Sequence, residues 1–211
     1  MSTVKIRSEI HQVVSLITPL DRLEQDHIYF VLNWIESGSE IFRIEKPATP
    51  DTHLVAYFVI ASPEKDKILL VDHKKAELWL PAGGHVEAGE VPKETVRREA
   101  QEELGIEAEF LSDEPIFLTV TKTVGNIAKH TDVSLWYLLK GDPNQTLDYD
   151  ISEFHQIRWF GIDDIPFGKS DPHMKRFIDK MLRLSTLDGH LKNDVKIILD
   201  EIALSSGRSA N

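Results

Sequence analysis

Three carboxylates spaced for one helix face lie in the stretch from Leu80 to Ile106, which reads LPAGGHVEAGEVPKETVRREAQEELGI. Glu99, Glu102 and Glu103 stand at i, i+3 and i+4, so an α-helix through them gathers three negative charges within little more than one turn. Like charges so placed repel. Gly105 is the expected C-terminal cap, which puts Glu102 and Glu103 in the last turn, where the helix dipole also disfavours anions. Arg98 can pair with Glu94 or Glu102 four residues away, yet one guanidinium does not neutralise the cluster. A divalent cation would. Hard oxygen ligands select magnesium, calcium or manganese over zinc or copper, and magnesium leaves positions for water and phosphate oxygens. The competing reading of the same residues is a solvated acidic helix face.

Ahead of this helix runs a glycine-bearing loop with Gly83, Gly84 and Gly89 and acids at Glu87 and Glu90. Gly84 is followed by five residues and Glu90, then by seven residues and the run Arg98-Glu99-Ala100-Gln101-Glu102-Glu103-Leu104-Gly105-Ile106. That spacing resembles the Nudix box of the Nudix (MutT-like) hydrolases. The resemblance implies a loop–helix–loop motif that carries Mg2+ or Mn2+. It further implies hydrolysis of a diphosphate linkage in a nucleoside diphosphate joined to another group: a nucleoside triphosphate, an oxidised nucleotide or an ADP-ribose-like molecule. It maps the metal onto Glu99, Glu102 and Glu103 with a backbone oxygen at Gly84, and lets the same glutamates help position the attacking water. Arg98 then orients the carboxylates and Glu90 braces the motif, while Gly83, Gly84 and His85 form the expected substrate-binding loop. Family loops often have proline directly before the two glycines, whereas Ala82 here separates Pro81 from Gly83.

Many members recruit one more carboxylate from outside the box. The loop before the short aromatic run QIRWF offers Asp148, Asp150 and Glu153, and Glu153 is the expected choice. The nine histidines contain no close-spaced metal pattern such as HExxH, and there is no cysteine to support one. His130 with Asp132, and Asp171 with His173, are spaced to line the same cleft, although a structural role is the simpler reading of each. A noncatalytic nucleotide sensor or protein-interaction module on the same fold is the alternative function. Its carboxylates would be expected to erode, and here all three remain.

The elements that must position this motif are legible on both sides of it. Residues 3 to 17 carry a roughly helical apolar pattern, and Thr18-Pro19-Leu20-Asp21 supplies an N-cap and a first-turn proline for a second helix ending near Gly38. Two prolines in Lys46 to Asp51 mark a connection. His53 to Ala61 and Ile68 to Asp72 read as buried strands, and Leu78 to Leu80 leads into the glycine loop. Beyond the box, Glu107 to Thr123 holds one or two strands, Asp132 to Lys140 a central strand and Gln156 to Phe160 a short one. Helical patterns follow at Pro172 to Leu184 and Leu191 to Leu204. This order predicts an α+β chain folded as an α/β/α sandwich with a mixed sheet, the architecture that the Nudix resemblance also implies, plus an N-terminal helical extension. The expected division is 1–46 for the extension, 51–185 for the catalytic domain and 186–211 for a C-terminal helix and tail. The extension is expected to pack on the catalytic domain or on a second subunit, as in a homodimer.

Composition excludes several classes. At 211 residues with 41% hydrophobic and 28% charged, the chain is an ordinary globular protein able to bury one core. A formal net charge of -11 argues against binding a nucleic acid polymer, which needs a basic face. A small nucleotide remains possible if metal and local cations offset the field. No apolar run approaches membrane-spanning length, the N-terminus lacks a secretory apolar core and cysteine is absent, so no membrane partner and a cytoplasmic location are the expectations.

Overall fold

A computed structural model gives the architecture, with residues 3–46, 49–123 and 130–186 described. Strand β1 (Thr52–Ala61) organises the sheet. Its sequence, THLVAYFVIA, is apolar on both faces, as a strand covered on both sides must be. Along one edge it pairs over its whole length with β6 (Thr131–Lys140) in parallel, His53 opposite Asp132 and Ala61 opposite Lys140. Its other edge is shared between β4 (Ala82–His85), antiparallel to Val55–Phe58, and the start of β2 (Lys67–His73), antiparallel at Ile60 and Ala61. β2 also pairs with β3 (Leu78–Leu80) and β7 (Phe154–Gly161), and β5 (Phe117–Lys122) closes the far edge on β6. The result is a mixed seven-stranded sheet.

Helices cover both faces. Ile6, Ile10 and Val14 of α1 (Thr3–Ser15), Ile28, Val31 and Ile35 of α2 (Arg22–Glu36), and Val96, Ala100 and Leu104 of α3 (Pro92–Leu104) share one core with Leu54, Ala56 and Phe58 of β1. Met174, Phe177, Ile178 and Met181 of α4 (residues 174–186) share the other with Val59, Ala61 and Trp136. The expected sandwich is therefore present. The helix expected at Leu191 to Leu204 lies outside the described residues. No helix among the described residues is long and apolar enough to cross a membrane.

Local details depart from the sequence reading where two signals compete. Helix α2 begins after Asp21, not Thr18: the Asp21 side chain accepts the Glu24 amide at 2.9 Å, and Glu24 reaches back to the Leu20 amide at 2.6 Å, a reciprocal cap that leaves Pro19 in the connection. Only one strand, β5, forms between Glu107 and Thr123, with an isolated bridge from Phe110 to Leu139. The glycine loop is in part a strand, because Ala82 to His85 pair along β1.

Glu24 does more than cap. Fully buried, it accepts the Leu118 amide at 3.1 Å and the Lys180 ammonium at 2.6 Å, so one carboxylate joins α2, β5 and α4. Glu24→Gln keeps the shape but removes the charge that Lys180 needs, and should cost ~1.5–3 kcal/mol of stability. Denaturant unfolding would show a lower midpoint at unchanged m-value; an unchanged midpoint would mean that the pair contributes nothing net.

Candidate active site

The site is built where α3 crosses the Gly83-Gly84 strand. The helix buries Thr95, Val96, Ala100, Glu103 and Leu104 against the sheet and stops at Gly105, whose φ of 63° is the left-handed cap conformation that glycine adopts without strain. That registration carries Glu99 and Glu103 inward and leaves the Glu102 side chain 61% exposed.

Two glycines admit the carboxylates. A Cβ on Gly83, with φ 137°, would lie 2.2 Å from the Ala56 carbonyl oxygen, so only glycine allows this strand to pair so closely with β1. The freed Gly83 amide donates to Glu103 Oε2 at 3.0 Å. On Gly84 a Cβ would come within 2.0 Å of Glu99 Oε1: the Glu99 carboxylate lies against the bare Cα. Glu99, Glu103 and the two glycines are thus one unit.

Arg98 is its hub. The guanidinium forks onto Glu90, Nε to Oε1 at 3.1 Å and Nη2 to Oε2 at 3.0 Å, and also donates to Glu99 Oε1 at 2.6 Å, Glu102 Oε2 at 3.4 Å and the His85 carbonyl at 3.3 Å. Glu90 further accepts the Thr95 hydroxyl at 2.7 Å, so it braces the motif. Burial alone would raise the Glu90 carboxyl, but the bonds from Arg98 and Thr95 outweigh it and hold the pKa below its ordinary value. Those bonds to Glu90, with Glu99 assisting, keep Arg98 charged well above the usual arginine range.

The inner carboxylates behave oppositely. Burial pushes Glu103 up to about 8, and the charges of Glu99, Glu153 and Asp150 add to the rise despite the Gly83 amide. Glu99 is also raised by burial, with Glu102 and Glu153 contributing and Arg98 opposing. Among the described residues Arg98 is bonded to Glu99 and no cation is bonded to Glu103, so the pair carries more negative charge than its neighbours offset. Their donor set is all oxygen, and the bare Cα of Gly84 lets the Glu99 carboxylate lie against the strand, so the residues fit a hard divalent cation such as magnesium or manganese.

Glu153, half-buried ahead of β7, joins this neighbourhood, since its charge acts on both Glu99 and Glu103. Its loop is tied to the helix end by the Asp150 amide, which donates to the Glu103 carbonyl at 2.8 Å. Asp148 approaches Gly105 instead, its carbonyl 3.3 Å from where a Cβ would stand.

His85 turns elsewhere. Alternation along β4 places Gly84 toward α3 and the His85 ring on the opposite sheet face, where it packs tilted against His53 with centroids 4.8 Å apart and lies 3.2 Å from Arg43 Nη1. Burial, with Arg43 and His53 beside it, pushes its pKa down to about 3, so the ring is neutral. His130 and Asp132 do meet, Nε2 to Oδ1 at 3.3 Å, as their spacing suggested. Asp171 is raised to about 6 by burial with Asp132 adding, while His173 packs with Arg176 and His27. His53 and Arg43 escaped the sequence reading. His53 opens an apolar strand run, and only its register opposite Asp132 gives it meaning.

The chain is similar in sequence to known proteins. The family profile of the NUDIX domain matches residues 52–181. Rat bis(5'-nucleosyl)-tetraphosphatase (asymmetrical) is 33% identical over 87 residues, which are 41% of this chain and 57% of that protein. The chain thus spans little more than half the length of this curated relative. An uncharacterised Nudix hydrolase of Bacillus subtilis is 28% identical over 120 residues, 54% of this chain and 73% of that one. Among solved structures, a NUDIX-family hydrolase from Clostridium perfringens superposes with a TM-score of 0.49 at 25% identity, covering 63% of this chain and 97% of that chain.

Proposed function

Because this chain belongs to the Nudix family of hydrolases, enzymes that act on pyrophosphate bonds, we propose that it cleaves a phosphoanhydride in a nucleoside diphosphate joined to another group. The observation that supports this most strongly is the gathering of Glu99, Glu103 and Glu153 beside the Gly83-Gly84 strand, with Glu102 at its outer edge. Bound magnesium or manganese would supply charge neutralisation on the phosphate oxygens. Glu99, Glu102 and Glu103 would hold it, with the Gly84 carbonyl as a further oxygen ligand. Arg98 stays off the substrate and fixes the rotamers of Glu99 and Glu102 through its fork on Glu90. The missing side chains at Gly83 and Gly84 let β1 and the Glu99 carboxylate close directly against this strand, so nothing bulky separates the carboxylates from its backbone.

Glu153 orients the attacking water and takes its proton. Its place at the rim, close enough to load Glu99 and Glu103 electrostatically yet outside the Arg98 network, suits a base that must exchange protons. Glu153→Gln should lower turnover by ~10²-fold or more with little change in KM. A loss below about threefold would remove Glu153 from the mechanism.

Dinucleoside polyphosphates head the substrate classes, because the rat relative is named for that activity. Nucleoside triphosphates, oxidised ones included, and ADP-ribose-like molecules complete the panel. Incubation of each with magnesium or manganese, product identification and repetition in labelled water would give both the substrate and the phosphorus attacked. No hydrolysis of any member with either metal would overturn the reading.

A further inference from the structure

On the sheet face opposite α3, three histidines and one aspartate meet. His53 comes from β1, His85 from β4, Asp132 from β6 and His130 from the residue before it, and one ligand atom of each lies within 4.8 Å of all the others. The His53 side chain is fully buried, and those of Asp132 and His130 are 14% and 17% exposed. We propose that these four residues form a zinc site at the end of the sheet, separate from the carboxylate cluster on α3.

Proton placement makes the case. His53 Nδ1 lies 2.9 Å from the Pro50 carbonyl, which can only accept, so Nδ1 carries the hydrogen and Nε2 presents a lone pair. That lone pair faces Asp132 Oδ1 at 3.3 Å. Neither atom has a hydrogen-bond partner among the described residues, although both are buried. Two acceptors facing each other inside a protein call for a cation between them.

His130 is oriented the same way. The Thr123 hydroxyl lies 3.2 Å from Nδ1 and 3.0 Å from the His130 carbonyl, an arrangement that suits a protonated Nδ1, and Nε2 stands 3.3 Å from Asp132 Oδ1. Backbone and hydroxyl partners that fix the tautomer from behind are the usual support of metal-bound imidazole. Zinc bonds of ~2.0–2.1 Å in a tetrahedron set neighbouring ligand atoms roughly 3.3–3.4 Å apart, which matches both imidazole-to-carboxylate separations.

Three imidazoles select a borderline ion of the zinc class over magnesium, in contrast to the oxygen set on α3. A central carboxylate disfavours an anion such as phosphate. His85 completes the set, and its Nε2 is freed to do so when it gives up its contact with Arg43 Nη1 at 3.2 Å. With four protein ligands the site is closed, so its role is to tie β1, β4 and β6 together.

The test needs no hydrolysis. The full chain is stripped with a chelator, then given zinc or cobalt in excess magnesium, which occupies the carboxylate cluster. About one zinc per chain should remain after desalting, the melting temperature should rise, and cobalt should give the intense visible bands of a tetrahedral centre. Asp132→Asn should lose the ion and the bands. Thr123→Val, which keeps all four ligands, should weaken zinc binding by ~10–100-fold, and Glu102→Gln should leave it unchanged. A folded chain that retains no zinc would overturn the site and assign the His53–Asp132 contact to a proton. So would zinc held undiminished by both Asp132→Asn and Thr123→Val, or a melting temperature raised by inorganic phosphate and not by zinc.

Discussion

Glu102→Gln lowers magnesium-dependent hydrolysis by about 10³-fold and leaves the fold intact. The two halves of this expectation rest on different observations. The Glu102 side chain is 61% exposed, and its closest charged partner is Arg98 Nη1 at 3.4 Å, which already serves Glu99 at 2.6 Å. An exposed pair of that kind contributes roughly 0–1 kcal/mol, so unfolding should scarcely change. Hydrolysis is different, because a carboxylate that helps hold the metal stabilises charge present in the transition state. A loss of ~4 kcal/mol there corresponds to three powers of ten. The pairing with Glu99→Gln is informative, since that carboxylate lies inward against Gly84 and its removal also takes from Arg98 one of its charged partners. It should lose both activity and some stability. Rates within about threefold of the unmodified protein for Glu102→Gln, or activity that survives a chelator, would sink the metal assignment.

Why the Glu102 cluster was legible in sequence while the His53 cluster was not follows from where the information lies. Glu99, Glu102 and Glu103 belong to one helix, so periodicity alone places them, and Gly105 marks the end. The sheet-borne cluster needs the parallel register that sets His53 opposite Asp132 and the antiparallel one that sets Val55 opposite His85. Neither register is written in any local stretch. The Glu24–Lys180 pair joins residues 156 apart in the chain and is equally hidden. Gly83 and Gly84 misled for another reason: glycine is disfavoured in strands, but here its missing Cβ is what lets β4 lie against β1 and admit Glu99. The helix start expected at Thr18 lies at Asp21 instead, because the three-way bonding of Glu24 fixes the first turn there.

The metal-free protein should lose stability as pH rises, contrary to the usual behaviour of a salt-bridged carboxylate. Glu103 has an ordinary carboxyl pKa of 4.5 when unfolded and about 8 in the fold, where burial and the charge of Glu99 raise it. The native state therefore binds more protons than the unfolded chain across that interval, and stability falls with pH. The contribution is fully present below about 4.5 and is lost as pH climbs through about 8. At 1.36 kcal/mol per unit the full effect is on the order of 5 kcal/mol, and Glu99, also raised, adds slope of the same sign. Glu103→Gln separates the charge from the contact. Its amide oxygen can still accept from the Gly83 amide, but it has no proton to lose, so the decline between about pH 5 and about pH 9 should flatten and the variant should be the more stable at the alkaline end. Magnesium should do for the unmodified protein what the substitution does for the variant, since it favours the ionised carboxylates and should stabilise most at high pH. Denaturant midpoints measured across this range, with and without magnesium, decide the matter. A stability that rises with pH in the metal-free protein, or a Glu103→Gln variant with the same slope, would show that Glu103 is ionised within the fold and that the cluster carries no strain for a metal to relieve.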